Sequence, residues 1–218
     1  MLWPTPARLK RGPKPRFSVD GITEAAVAIA DENGLEAVTM QSVAEALGTT
    51  KMALYRHVPG RTELDGLLLD RAIGAPPALS GEDWRSALDE WASRLHATAR
   101  RHPWTVELAQ RPHLPGPREL AWYEAGLAAT TELPLSGSER LDVLVLLSGH
   151  ALSLVRQEAA PHPEERLAAG IAEILAARPG EFPHTSAAFA DPSTRDDALR
   201  FGLDRILDGI AALVDRRS

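Results

Sequence analysis

The residues best suited to a chemical task lie close together near position 50. Five side chains there can donate hydrogen bonds to an anion: Lys51, Tyr55, Arg56, His57 and Arg61. No carboxylate occurs between Glu45 and Glu63, so the segment is locally positive. Cations and hydroxyl donors in such a strip suit the phosphates of a nucleic acid. The net charge of −6 does not oppose this interpretation, because DNA binding needs a locally basic surface rather than a basic protein.

Glycine, threonine and proline divide the chain around this segment into four helices. Their predicted ranges are 18–33, 40–47, 51–58 and 62–73. The apolar residues expected to hold the two short middle helices together are Ala44, Leu47, Leu54 and Val58. Two short helices joined by Gly48-Thr49-Thr50 match a helix-turn-helix, in which the second helix presents its outer face to the major groove.

The same region resembles the DNA-binding domain of the Tet-repressor (TetR) family. The stretch GLEAVTMQSVAEALGTTKMALYRHVPGRTELDGLLLDRAI carries the family's Gly-Leu-x-x-Val-Thr, Ala-x-x-Leu-Gly and Leu-Tyr-x-His-Val elements at matching spacing. The resemblance covers residues 18–73. It implies a homeodomain-like three-helix DNA-binding domain, followed by a helical domain that binds a ligand and dimerises.

The resemblance also implies roles for individual residues. Those implied to contact DNA are Thr39, Met40, Gln41, Thr49, Thr50, Lys51, Met52, Ala53, Tyr55, His57 and Arg61. The last three are implied to bind phosphates. Five base-reading positions differ from those of the Tet repressor itself: Met40, Gln41, Lys51, Met52 and Ala53. A different operator is therefore expected.

The rest of the chain divides into an arm and a second domain. Residues 1–17 form a proline-rich arm with several basic residues and no acidic one, which either contacts DNA phosphates or a minor groove, or has no role. Ala75-Pro76-Pro77-Ala78 marks a boundary before the second domain, residues 79–218. Its predicted helices are 82–101, 103–110, 117–131, 138–158, 163–177 and 195–216, with a mobile loop over 178–194. The predicted fold class is all-α.

Two helices of the second domain are predicted to hold a homodimer together. Helix 138–158 is apolar nearly all round and needs cover on every side. Its small residues Ser148, Gly149 and Ala151 permit close approach of another helix. Helix 195–216 carries a continuous stripe of leucine, isoleucine and valine. A dimer would place two reading helices on a two-fold operator. The alternative is that both helices belong to the core of one subunit.

Aromatic and polar residues of the second domain predict a pocket for a small hydrophobic effector. The candidate ligand-binding residues are Trp104, Leu108, His113, Trp122, Tyr123, His150, Leu154 and Gln157. The alternative is that these side chains find their partners within the protein. Glu107 stands where tetracycline-sensing members of the family have a metal-binding histidine, so a Mg-tetracycline ligand is not expected. Ligand binding is expected to move helix 82–101 against helix 62–73 and to lower the affinity for DNA.

The sequence lacks the residue patterns of enzymes, cofactor-binding proteins and metal sites. No catalytic, phosphate-loop or dinucleotide motif occurs, cysteine is absent, and the histidines lack metal-ligand spacing. We therefore expect no enzyme activity, no cofactor and no metal. No signal peptide is recognised, and the longest apolar stretch, 141–155, is too short to span a bilayer, which favours a cytoplasmic protein without a membrane partner.

The expected function is a ligand-responsive DNA-binding transcription regulator, acting as a repressor. The alternative is a helical protein-interaction adaptor of the same fold that does not bind DNA.

Overall fold

The computed structural model describes residues 18–159, 163–191 and 197–217. All regular elements among these residues are helices, which confirms the predicted fold class. The arm predicted over residues 1–17 lies outside the described residues.

The first four helices occupy nearly the predicted ranges. They are α1 (Val19–Asn33), α2 (Met40–Ala46), α3 (Lys51–Tyr55) and α4 (Arg61–Ile73), with a short 3-10 helix at Leu35–Ala37 between α1 and α2. Gly34 follows α1 with a φ of 83°, and Gly48 follows α2 with a φ of 60°. Residues with a side chain rarely adopt this left-handed region, so both turns favour glycine.

The second part of the chain supplies the remaining helices of the described residues. They are α5 (Trp84–Arg101), α6 (Thr105–Gln110), α7 (Pro117–Ala128), α8 (Gly137–Glu158), α9 (Pro163–Ala177), α10 (Pro183–Ala190) and α11 (Ala198–Asp215).

The prediction of an uninterrupted loop over 178–194 was wrong, because α10 lies within it. This helix begins at Pro183. Proline suits the first turn of a helix, since its fixed φ matches the turn and its missing N–H would have no partner there.

The core of the DNA-binding region extends beyond the first four helices. Its largest fully buried side chains are Ile22, Val38, Val43, Leu54, Val58, Leu64 and Leu68. Leu108 of α6 belongs to the same core, and Trp104 packs against it. Trp104 Nε1 also donates a hydrogen bond to Asp31 of α1 at 2.8 Å. The boundary at 75–78 therefore divides the sequence but not this core.

A second core lies between α5, α7, α8 and α11. Trp91 and Trp122 meet edge to face there, with ring centroids 5.9 Å apart. Trp91 Nε1 donates to the carbonyl of Trp122 at 2.9 Å, and Trp122 Nε1 donates to the carbonyl of Gly74 at 3.1 Å. Both indoles are buried with their polar groups satisfied, so they act as structural residues of this core.

One side of α8 is uncovered within the subunit. The buried side chains of this helix are Val143, Leu144, Leu147, Ala151 and Val155. On the opposite side, Val145 and Leu146 leave 60% and 56% of their surfaces exposed. The sequence predicts that α8 is packed on every side, but one side of it has no packing partner among the described residues of a single subunit.

Candidate nucleic-acid interface and ligand cavities

The short helix α3 is held against α2 by its inner side. Leu54 within α3 and Val58 just after it are completely buried, and Ala44 of α2 is buried beside them. Thr50 caps the helix, since its side-chain oxygen accepts a hydrogen bond from the amide of Ala53 at 3.4 Å. The anchoring predicted from the sequence is confirmed for these residues, and the outer side of α3 is left free.

Most of the predicted DNA-contacting residues lie on this outer side or next to it. Those classed as exposed are Thr39, Gln41, Thr50, Lys51, Met52 and Tyr55, and those half-buried are Thr49, Ala53 and His57. Met52 leaves 70% of its surface exposed. An exposed apolar side chain between polar ones can contact a thymine methyl group in the major groove.

Met40 does not lie on this surface. Its side chain is buried in the core of the DNA-binding region, with 8% of its surface exposed. The role implied for it in DNA contact is therefore corrected: Met40 is the first residue of α2 and points inward. Beside it, Thr39 caps α2, because its oxygen accepts a hydrogen bond from the amide of Ser42 at 2.9 Å. This cap contributes about 1 kcal/mol to helix stability.

Arg61 also differs from its implied role as a free phosphate ligand. Its Nε lies 2.5 Å from a carboxylate oxygen of Asp65, and its Nη1 donates to the carbonyl of Val38. A guanidinium bound in this way is partly neutralised and fixed within the subunit. Arg61 holds the segment before α2 against α4 instead of reaching outward.

Arg56 belongs to the five donors of the acid-free segment, although the resemblance implies no DNA contact for it. It is exposed at the C-terminal end of α3, next to Tyr55. Lys51 and Arg56 thus place a positive charge at each end of the outer side of α3.

A cavity of about 230 Å³ lies between α4 and the chain that follows α6. The residues that line it are Thr62, Asp65, Leu69, Leu108, Arg111, Pro112 and His113. Leu108 and His113 were predicted from the sequence as ligand-binding residues, and the structure brings these two together. The other lining residues were missed, because a charged residue on an amphipathic helix looks the same whether it faces a cavity or bulk water.

His113 is held by acceptors at both ring nitrogens. Nδ1 lies 2.7 Å from the carbonyl oxygen of Arg111, and Nε2 lies 3.0 Å from the Glu119 carboxylate. Burial of the ring opposes its charge, but these two acceptors outweigh burial and raise the pKa of His113 above its ordinary value. Two acceptors favour the imidazolium, in which both nitrogens donate.

A second, smaller cavity of about 40 Å³ is almost entirely apolar. It is lined by Leu69, Ala72, Ile73, Leu95, Thr98, Ala99, Thr105, Ala109 and Leu152, from α4, α5, α6 and α8. Leu69 also lines the larger cavity, so this one side chain lies between the two spaces.

Six of the predicted ligand-binding residues line neither of these cavities. Trp104 and Trp122 pack into the two cores, as described above. His150 Nε2 lies 3.2 Å from the carbonyl oxygen of Leu199, so its partner is α11 rather than a ligand. Tyr123 and Gln157 are exposed and Leu154 is half-buried. These six residues therefore pack within the subunit or lie at its surface, and their residue types alone did not predict contact with a cavity.

A buried carboxylate connects α4 to the first turn of α7. Asp70 of α4 accepts hydrogen bonds from the backbone amide of Arg118 at 2.8 Å and from Arg118 Nη1 at 3.1 Å. The negative charge lies at the N-terminal end of α7, where the free amides and the helix dipole stabilise it. Movement of α7 is thereby coupled to α4.

Comparison with known proteins places these features in a family. Residues 22–64 match the family described as bacterial regulatory proteins, tetR family, and residues 76–214 match the tetracyclin repressor-like C-terminal domain. The whole chain is 35% identical to the HTH-type transcriptional repressor DrrR1 of Streptomyces coeruleorubidus, of which 86% is covered. It is 30% identical to an HTH-type transcriptional regulator of Saccharopolyspora erythraea, over 97% of this chain and 91% of that one.

A solved structure shares the fold as well. Apo ActR from Streptomyces coelicolor superposes with a TM-score of 0.80 at 23% identity, over 95% of this chain and 100% of that one.

Fold, surface and relatives together define a helix-turn-helix transcription regulator and not an enzyme. The chain belongs to the tetR family of bacterial regulatory proteins, as a DNA-binding transcription regulator with a tetracyclin repressor-like second domain. Within the described residues, no group of histidine, aspartate and glutamate side chains is arranged to hold a metal ion. Nor does any helix of the described chain have the length and apolarity needed to cross a membrane.

Proposed function

We propose that this regulator binds a pseudo-palindromic operator as a homodimer and leaves it when a small hydrophobic effector enters the second domain. The outer side of α3 is the observation that carries the DNA-binding part. There Lys51, Met52 and Tyr55 are exposed, while Leu54 fixes the helix from behind. A short helix presented in this way fits the major groove, and its cations and hydroxyls fit the flanking phosphates.

The uncovered side of α8 supports the homodimer. Val145 and Leu146 are more than half exposed there, and Phe201 of α11 leaves 68% of its surface exposed. Gly149 lies on the same side of α8, one helical turn beyond Val145, and a Cβ at Gly149 would meet no atom within 4 Å. The exposed apolar side chains of α8 would be covered by a second copy of this helix, and Gly149 would let the two helices pack closely.

The homodimer also explains how a small domain reaches useful affinity. One α3 helix reads only a short half-site, whereas two of them, about 34 Å apart, contact successive major grooves on one face of the duplex. The two half-sites are then similar in sequence and related by the two-fold axis of the dimer. We place this activity in the cytoplasm, where a bacterial regulator meets chromosomal DNA.

The larger cavity is the proposed entry point of the effector. Its volume of about 230 Å³ lies below the roughly 300 Å³ at which pockets for drug-sized ligands begin. Rotation of Leu69 would join it to the apolar cavity beyond, and the combined space would hold a larger hydrophobic molecule. The part of the effector next to Arg111 would carry an oxygen acceptor, because a guanidinium can only donate hydrogen bonds.

Repression is proposed as the direction of control. The relative from Streptomyces coeruleorubidus, which matches over the full length of this chain, is named as a repressor. Binding of the effector would favour a conformation in which the two α3 helices no longer match the operator, so the affinity for DNA would fall.

A gel-shift titration of the full-length protein tests the proposal, with DNA from upstream of its own gene as the probe. The expected result is a retarded complex of one dimer per site that weakens steeply as salt increases, because counterions are released on binding. A fragment of equal length from within the coding region is the control. Failure to retard the upstream fragment even at low salt would favour the adaptor alternative.

A further inference from the structure

Asp65 is held by two arginines that come from different parts of the chain. Its Oδ1 lies 2.5 Å from Nε of Arg61, the first residue of α4, and its Oδ2 lies 3.3 Å from Nη1 of Arg111, just beyond α6. The carboxylate is only 16% exposed. Each oxygen is thus engaged by a separate cation, and movement of one arginine changes the electrostatic environment of the other.

Arg61 extends this contact to the helix-turn-helix. Its Nη1 donates to the carbonyl of Val38 and its Nη2 to the carbonyl of Leu35 at 3.5 Å. These carbonyls belong to the start of the 3-10 helix and to the residue that follows it, immediately before Thr39 caps α2. The position of the Arg61 guanidinium therefore determines how the chain enters α2.

Arg111 extends the same contact to the larger cavity. It lines that space together with Pro112 and His113, and it also pairs with Glu107 one turn earlier. Glu36 also lies within 4.0 Å of Arg111. With three carboxylates around one half-exposed guanidinium, a modest change in its surroundings can move Arg111 from Asp65 to another acceptor.

We propose that Asp65 is a positioning residue that transmits the state of the larger cavity to the helix-turn-helix through the chain Arg111, Asp65 and Arg61. The proposal rests on the proposed function, in which an effector enters this cavity. A ligand oxygen that attracts Arg111 leaves Asp65 with Arg61 alone. The Arg61 guanidinium then shifts, its bonds to Val38 and Leu35 weaken, and α2 and α3 lose their fixed orientation.

Backbone hydrogen exchange on the intact protein tests this without any operator or effector. Arg111→Gln should speed exchange of the amides between residues 36 and 43 roughly two- to fivefold, the range expected for loss of a partly exposed ion pair. Arg118→Gln is the matched control, because Arg118 is exposed to the same extent as Arg111, 41%, and pairs with Asp70 on the same helix. The control should leave residues 36–43 unchanged.

A double-mutant cycle with Asp65→Asn checks that the arginine acts through the carboxylate. The double variant Asp65→Asn/Arg111→Gln should exchange at 36–43 no faster than Asp65→Asn alone. If Arg111→Gln speeds exchange only at residues 107–113, the proposal is wrong. It is also wrong if the effects of Asp65→Asn and Arg111→Gln on exchange at 36–43 add in the double variant. If the wild-type protein did not bind DNA, the proposed function would be contradicted. The exchange experiment would still test the contact between Arg111, Asp65 and Arg61, because it uses neither operator nor effector.

Discussion

Gly116 lies so close to Asp70 that a Cβ at position 116 would fall 2.2 Å from Asp70 Oδ1. The absence of a side chain lets the buried carboxylate reach the amides of Arg118 and Glu119 at the start of α7. This glycine and this aspartate thus form one of the contacts between α4 and the second domain. The packing of α7 against α4 depends on both residues.

Asp70→Ala is expected to lower the free energy of unfolding by about 1–3 kcal/mol, since it removes a helix cap and leaves Arg118 without its partner. Gly116→Ala should destabilise the protein as well, because the added methyl group displaces the same carboxylate. Urea unfolding followed by circular dichroism measures both. Gly137→Ala is the control, since a Cβ there would meet no atom within 4 Å. Stability unchanged by Asp70→Ala would show that the cap is dispensable.

Gly149→Gln is expected to convert the homodimer into monomers that remain folded. Within one subunit the new side chain enters open space, and glutamine favours the helical backbone over glycine by several tenths of a kcal/mol. Any disruption must therefore come from a partner subunit. Sedimentation velocity measures the oligomeric state. Gly137→Gln, the same change at the first residue of α8, should remain dimeric. A dimeric Gly149→Gln protein would place the interface elsewhere.

Lys51→Ala is expected to reduce the slope of log affinity against log salt by about two, because each subunit of the dimer loses one phosphate contact and its released counterion. Tyr55→Phe should weaken binding roughly a hundredfold at constant salt, the effect of removing a hydrogen bond to a charged group in both subunits. Both variants should stay dimeric. Fluorescence anisotropy with labelled operator DNA measures the affinities, and Arg94→Ala on α5, which is exposed and remote from α3, serves as the control. Wild-type affinity in both variants would contradict the assigned DNA-reading surface.

The stabilisation that His113 provides is expected to depend on pH. The pKa of His113 in the folded protein lies above its ordinary value of 6.5, so its pairing with Glu119 is fully present below pH 6.5 and is lost as pH rises through the raised pKa. His113→Gln should therefore lower the thermal unfolding temperature at about pH 5.5 and lower it much less at about pH 9. Differential scanning calorimetry at both pH values measures this. His184→Gln, on exposed α10, should show no such trend. A destabilisation that is equal at both pH values would exclude a charged His113.

Local signals in the sequence were sufficient for the helices and turns of the DNA-binding region. Its glycine turns, its threonine caps and the apolar positions at 44, 54 and 58 are recognised within a few residues of one another, and the structure confirms each of them. These features depend on backbone conformation and on a single helix face, both of which a short stretch of chain determines. The same is true of the all-α fold class.

Local signals did not predict the surroundings of several individual side chains in either domain. Trp122 and His150 were predicted to meet a ligand, yet the first packs against Trp91 and the second against α11. Met40 and Arg61 were expected at the DNA surface, yet one is buried and the other is bound by Asp65. In each case the residue type was compatible both with contact to a ligand or DNA and with a contact inside the subunit.

The sequence by itself determined the helices other than α10, which side of each is apolar, and which short segment carries the free positive charge. Tertiary structure alone decided whether an apolar side meets a core, a cavity or uncovered surface, and which carboxylate each arginine reaches. The physical reason is that helix formation depends on residues three or four positions apart, whereas Asp65 and Arg111 are brought together only by the packing of α6 against α4.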